Sequence, residues 1–568
     1  MDRPTPIRTA VLTVAAIAIA ISGCTTPLEY LHNGFKVGPK AGVPCAPTAT
    51  HWIDAEDVRV QQSGTDLCRW WTVFHDPTLD GLVAHATSQN LTLREAGFRI
   101  LEARAQLGIA SGSLFPQTQQ AFGGYQREAA SLLSGDSNAF PQQFFNQWAF
   151  GFNLSWEIDF WGRFRRAVTA AEDTLGASCA NYGNVLVTLQ SDVAANYVLV
   201  RTLQQRIEYV RENVELQQKV LDIADRRMKA GAKSASAAHQ ARSTVEQTEA
   251  QTPQLRVAVR QACNRICVLL GMPPSDLEKE LGPGVIPTVP AVVVVGIPAE
   301  LLRRRPDVRR AELLAAAQGQ QIGIAEADLY PAFAIDGTLG WQSENLSQLF
   351  NSKALTGNVG PVFQWNILNY GRIRNNMLAQ DAKFKALVMT YQETVLRADA
   401  EVEDGLTAFL NAQERAQLLD ASVADSQQAV DVVTREYQGG AANFDQLALI
   451  EQNLVVQQDL QAQAHGEIVQ GLIQVYRALG GGWGECCQAS GGSEQVVSAE
   501  AETVPAESVA IPPEPISPAT MPAPKSHRAS KPSLLSQPES ISSPSDLESP
   551  TSSPLPPSPA PPSPPTIK

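Results

Sequence analysis

Four stretches of the chain alternate apolar and polar side chains at a period of two, the pattern of a strand with one face against an apolar medium. Trp148, Phe150, Phe152, Leu154, Trp156 and Ile158 share one face, with Gln147, Ala149, Gly151, Asn153, Ser155 and Glu157 on the other. Val359, Pro361, Phe363, Trp365 and Ile367 alternate with Asn358, Gly360, Gln364 and Asn366. Phe333, Ile335, Leu339 and Trp341 do so with Ala332, Ala334, Asp336 and Thr338. With a less regular stretch, these predict strands at about 117–127, 147–158, 331–341 and 357–367. Strands of about ten residues suit a tilted crossing of bilayer hydrocarbon, and the Trp positions suit an interfacial girdle. Alternation alone does not separate such a barrel from a soluble sandwich, because apolar-out and apolar-in read identically.

After Gly162 the period changes. Val193, Asn196, Val200, Leu203, Ile207, Val210, Val214, Gln217, Leu221, Ala224 and Met228 keep heptad spacing. Val402, Gly405, Phe409, Ala412, Ala416, Leu419, Val423, Ser426, Val430, Val433 and Tyr437 keep it in the same register. A sustained heptad is a coiled-coil seam, and a helix from Gly162 to Lys229 would be roughly 100 Å long. Gly-containing turns near Ala230 to Lys233 and Gly439 to Ala442 would reverse each rod, with return helices ending near Gly271 and Gly480.

The two halves are copies, with corresponding residues 209 to 215 positions apart. Gln106 to Ala110 and Leu114-Phe115-Pro116 are echoed by Gln321 to Ala325 and Leu329-Tyr330-Pro331. Trp156 to Arg163 returns as Trp365 to Arg372, so Trp161-Gly162-Arg163 matches Tyr370-Gly371-Arg372. The 568 residues are therefore one duplicated body with appended ends. Four strands cannot enclose a lumen, whereas three copies would give twelve strands and hide every sheet edge.

Arg3 and Arg8 precede an apolar run from Ala10 to Ile21, a secretory signal rather than a membrane span. Ile21-Ser22-Gly23-Cys24 resembles a lipobox, which would make Cys24 the lipidated first mature residue. Among the remaining cysteines, Cys45 and Cys68 are open to a bridge, Cys263 and Cys267 lie one helical turn apart, and Cys486 and Cys487 are vicinal. No spacing reads as a zinc cage, so neither metal nor cofactor is expected. The 44 basic and 58 acidic residues give a net charge of -14, which argues against a nucleic-acid partner. Arg303 to Arg309 invites a phosphate reading, but Pro306 and Asp307 fit a helix start. No nucleotide-binding loop, zinc-protease motif or serine-nucleophile elbow is present, so no enzyme is expected.

The chain resembles the TolC-like outer-membrane factors in their lipoprotein (NodT-like) branch. The residues that carry the likeness are Cys24, Trp70-Trp71, Phe74 to Leu79, Phe115-Pro116, Tyr330-Pro331, the two Gly-Arg junctions, Leu301 to Arg309, and Tyr476 to Trp483. The resemblance implies a mainly α fold with β. A homotrimer would carry a 12-stranded outer-membrane barrel, four strands per chain, continued by a long periplasmic coiled-coil α-barrel. It implies a passive exit duct of a tripartite efflux system, working with a periplasmic adaptor and an inner-membrane pump of the resistance-nodulation-division type. A duct for type I protein secretion and a non-conducting coiled-coil scaffold are the alternatives. The expected organisation is a signal peptide (1–23), an anchor and N-terminal equatorial segment (24–90), repeat one (91–271), an equatorial linker (272–300), repeat two (301–484) and a disordered tail (485–568). Nineteen of the 38 prolines fall between Val504 and Lys568, a composition that buries no core.

The resemblance also places closure at the tips of the second helical hairpin. Asn443, Asp445 and Glu451 after the turn, with Arg435 and Glu436 before it, are the candidate gate residues, although a solvated helix-tip group is the plainer reading of each. Gly162 and Gly371 are expected to let strand pass into helix, with Arg163 and Arg372 where the lumen would change walls.

Overall fold

The computed structural model describes residues 26–40, 45–61, 67–129, 144–230, 235–294 and 304–483. The signal peptide, Cys24, Cys486, Cys487 and the Pro-rich tail lie outside these, as does most of the first hairpin turn.

A short helix α1 (Pro27–His32) precedes strand β1 (Val60–Gln61) and a 3-10 turn at Trp70–Phe74, followed by α2 (Pro77–Gln89) and α3 (Leu91–Gly112). Strands β2 (Thr118–Ala129) and β3 (Phe144–Ile158) lead into α4 (Arg163–Lys229), whose return leg is α5 (Ala235–Glu249) and α6 (Gln251–Leu269). After α7 (Leu277–Leu281) and β4 (Val293–Val294), copy two runs through α8 (Pro306–Ala327), β5 (Ala332–Ser343), β6 (Leu355–Gln364), α9 (Arg372–Gly439) and α10 (Phe444–Ala478).

β2, β3, β5 and β6 form one antiparallel sheet in that order, so β2 and β6 are its edges. Pro361 lies within β6, where an edge strand tolerates a residue that donates no hydrogen bond. The apolar face is not covered: Phe152, Leu339, Val359 and Phe363 are all exposed. A soluble sandwich would bury that face, so alternation here means apolar-out. β6 stops at Gln364, three residues short of the predicted end, and the chain turns through Trp365 to Tyr370 without pairing.

The helices hold the core. α4 has 67 residues and α9 has 68. Every heptad position from Val193 to Met228 and from Val402 to Tyr437 is buried or half-buried. The core is deepest where Trp70, Phe74 and Leu79 pack among Val193, Tyr197, Val259, Ile266, Phe409, Leu472 and Tyr476. A second cluster near the tips joins Val220, Leu221, Val245, Tyr437, Phe444 and Leu447. The parallel pair β1 and β4 ties the N-terminal segment to the linker between the copies.

The return legs differ. Copy two returns on one 35-residue helix, whereas copy one is interrupted at Ala250. Pro253 lacks the N–H that would bond the carbonyl of Glu249, which breaks the ladder at that point. Cys45 is free and exposed while Cys68 is in a disulfide, so the Cys45–Cys68 bridge left open by the sequence is not formed. Pro306 opens α8 with Asp307 in its first turn. Arg305 is buried, bonding Asp307, Glu401 and the Ala478 carbonyl, and so has a packing role.

Candidate functional site: strand–helix junctions and helical tip

Each long helix starts at a glycine in the left-handed region, Gly162 at φ 81° and Gly371 at φ 82°. A side chain there would be strained, and the glycine turns the segment that follows each strand into the first turn of the helix. The copies also share an anchor. Trp156 Nε1 donates to Leu114 O (3.2 Å), and Trp365 Nε1 donates to Leu329 O (2.9 Å).

Beyond that the junctions diverge. In copy one, Asp159 accepts from the backbone N–H of Phe164 and Arg165, which caps α4 and favours its positive end. The counterpart in copy two is Leu368, which cannot cap. Helix α1 and the segment after it strap copy one: Tyr30 Oη donates to Phe160 O, Val37 N donates to Trp161 O, and Arg165 donates to Gly34 O and Phe35 O. Buried Arg166 donates to Val37 O, Gly38 O and Gln320 Oε1, fixing strap, α4 and α8 together. Arg163 lies 3.7 Å from both Glu157 and Asp328, and both Arg163 and Arg372 are exposed.

Between the junctions and the tip, polar rungs join α4 and α10. Arg206 pairs with Asp459 at 2.6 Å, Tyr209 donates to Gln461, and Asn213 donates to Gln458. At the tip, the Arg227 guanidinium bonds the carbonyls of Tyr437 and Gln438, and it stacks 4.5 Å over the Tyr437 ring. Gly440, at φ 85°, reverses the second hairpin.

The gate candidates do not form one cluster. Asn443 is the residue before α10, Asp445 lies in its first turn, and both are exposed. Arg435 is exposed and its Nε–H bonds Asp431 O on the same helix. Glu451 differs from the expectation of a lumen-facing carboxylate. It is 2 % exposed, in the seam of α10 with Leu447 and Leu454. Burial pushes its pKa up to about 7. The residues that sequence reasoning missed are Arg206, Asp459 and Arg227. Their charges are visible, but pairing across some 210 to 250 positions leaves no periodic signal. Among the described residues, no group of three His, Cys, Asp or Glu is placed to hold a metal ion.

An uncovered β-sheet running through glycine hinges into two long helical hairpins is the fold of TolC-like outer-membrane channels. The outer membrane efflux protein family matches residues 82–272 and again 297–481, and the chain belongs to that family. It is 28% identical over 480 residues to the pyoverdine export outer membrane protein OpmQ of Pseudomonas putida, covering 83% of this chain and 97% of OpmQ. It is 28% identical over 474 residues to nodulation protein T of Rhizobium leguminosarum bv. trifolii, covering 82% and 98%. The solved outer-membrane channel OprN superposes with TM-score 0.74 at 30% identity, over 79% of this chain and 99% of OprN. The Campylobacter jejuni CmeC channel shares the fold, with TM-score 0.74 at 22% identity over 80% and 97%. The chain is thus an outer-membrane efflux component, and its relatives are channels rather than enzymes.

Proposed function

We propose that three copies of the chain form a water-filled duct that passively conducts small molecules, delivered by an inner-membrane pump of the resistance-nodulation-division type through a periplasmic adaptor. The observation that carries this reading is the sheet, apolar-faced and open at both β2 and β6, continuing into paired helices of roughly 100 Å. Open edges are satisfied when β6 of one copy pairs with β2 of the next. The exposed stripe Leu91, Phe98, Leu101 and Ile109 on α3 gives the copies an apolar surface to bury. Electron microscopy of the detergent-extracted protein tests the reading. Three-fold symmetry and a hollow rod support it, whereas a compact monomer or a solid rod sinks it.

Cys24 is the proposed lipid attachment site. Cys24→Ser is expected to abolish incorporation of labelled palmitate and to leave the precursor uncleaved, read by metabolic labelling and gel mobility. A labelled Cys24→Ser product would refute the assignment.

The tip bond of Arg227 joins the two hairpins, so it opposes their separation. Arg227→Ala removes charge-assisted bonds of about 1.5–3 kcal/mol, and single-channel conductance in planar bilayers is expected to rise. An unchanged conductance would place closure elsewhere.

A further inference from the structure

The duplication supplies a template for a contact that one chain cannot complete. In copy one, Trp161 stacks on Tyr330 with ring centroids 4.5 Å apart and planes inclined by 24°. Its Nε1–H donates to Pro331 O at 2.8 Å. Junction one thus seats on the α8–β5 turn of copy two, because β3 pairs with β5.

The duplicated counterparts are Tyr370 for Trp161 and Phe115-Pro116 for Tyr330-Pro331. The matched Trp156–Leu114 and Trp365–Leu329 hydrogen bonds show that this correspondence holds in space at the junctions. Yet Tyr370 is 98% exposed and Phe115 is 68% exposed. Tyr370 is also held at φ 49°, a conformation that a bulky residue keeps only where its surroundings hold it. Among the described residues no strand of the sheet lies beyond β6, so junction two lacks the neighbouring turn that seats junction one.

We infer that Tyr370 of each copy seats its ring on the Phe115-Pro116 turn of the neighbouring copy, closing the ring of junctions at the base of the barrel. This rests on the trimeric reading and names the partner surface within it. Tyr370 precedes the junction glycine Gly371 as Trp161 precedes Gly162, although only Tyr370 is held at positive φ, and Phe115 follows α3 as Tyr330 follows α8. The contact is apolar: the acidic residues beside Arg163, Glu157 and Asp328, have Asn366 and Ser113 as counterparts, so the ion pairs are not repeated. The N-terminal strap that covers junction one occurs once per chain, which leaves the neighbour's turn as the remaining cover for junction two.

The test uses the full-length protein with Cys45 and Cys179, the exposed free cysteines among the described residues, changed to serine, and that background serves as the control. Tyr370→Cys and Phe115→Cys are introduced singly and together, and a short bismaleimide is added. The double variant is expected to give dimer and trimer bands on denaturing gels, and the single variants none. A native trimer without those bands overturns this contact while leaving the duct reading intact, and absence of any trimer overturns both. A second variant guards against failure of the cysteine pair. Tyr370→Trp, which installs the copy-one residue, should keep the trimer's thermal midpoint, whereas Tyr370→Ala should lower it. Equal midpoints for Trp, Ala and the native residue would also overturn the contact.

Discussion

Gly471→Leu is expected to disrupt the second hairpin more severely than Arg227→Ala disturbs the tip or Tyr370→Ala the junction. A Cβ on Gly471 would stand 2.8 Å from the backbone N and 2.9 Å from the Cα of Phe409 on the facing helix. Gly405 is in the reciprocal position, its added Cβ 3.1 Å from the backbone N of Val475. Backbone atoms cannot rotate away as a flexible side-chain end can, so α9 and α10 would have to move apart. They meet in the deepest part of the core, where Phe409, Leu406, Leu472 and Val475 are all inaccessible to solvent. Overpacking typically costs about 1–3 kcal/mol, and a clash against main chain belongs at the upper end. Thermal melting of the purified protein, followed by near-ultraviolet circular dichroism, should show a clearly lower midpoint. Gly439→Ala is the control, because its added methyl meets nothing within 4 Å. A Gly471→Leu protein that melts like the native one would mean the helices do not approach so closely.

The rods were legible because a heptad is a long-range statistical signal: a single exposed or polar position does not erase it. Gln217 illustrates this, being polar, on the seam and 3 % exposed. The strands were legible to within three residues for the same reason, with the largest differences at the start of β3, which begins at Phe144, and at the end of β6, where the pattern Trp365, Ile367 persists after pairing has stopped. What alternation could not supply was the sense of the exposed face, which depends on whether another layer exists to cover it. Pro253 was in plain view, yet its consequence for the return leg depends on which helix position it occupies. The gate candidates fared differently because a carboxylate on a helix near a turn reads the same whether it faces solvent, lumen or seam. Glu451 and Asp445 are separated by less than two turns of α10, and only the packing of the neighbouring helices against that helix distinguishes buried from exposed. Arg227 could not be found from sequence, since its acceptors are backbone carbonyls, which carry no residue identity.

Stability of the helical tip is expected to fall as pH rises toward neutrality, with Glu451 as the source. In the folded chain its carboxyl titrates at about 7 against an ordinary value of 4.5, and burial is the cause. Between those values the folded state keeps a proton that the unfolded state releases, so stability declines with rising pH across that window and levels off above it. The separation corresponds to roughly 3 kcal/mol for complete ionisation in place. Geometry supports the assignment. Glu451 Oε1 and Gln217 Oε1 are both buried without a hydrogen-bond partner in the structure. The antiparallel register set by Asn213 with Gln458 and Tyr209 with Gln461 brings Gln217 to the level of Glu451–Leu454. The charged groups nearest in register are Glu215, Lys219, Asp222 and Asp225 on α4, Asp425 and Asp431 on α9, and Arg242 and Glu246 on α5; all but half-buried Asp225 are exposed, and none offsets the burial that raises the Glu451 pKa. An ionised Glu451 would therefore face apolar neighbours and one neutral amide, which favours admission of water and parting of α4 from α10. Hydrogen exchange of peptides around Gln217 and Glu451, corrected for the intrinsic pH dependence of exchange, should show less protection at about pH 8 than at about pH 5 in the native protein. Glu451→Gln keeps the shape but cannot ionise, so its protection should be the same at both. If the pH dependence survives in that variant, the proton resides on another group; if neither protein shows it, the carboxyl reaches water in the folded state and the seam at this level is open.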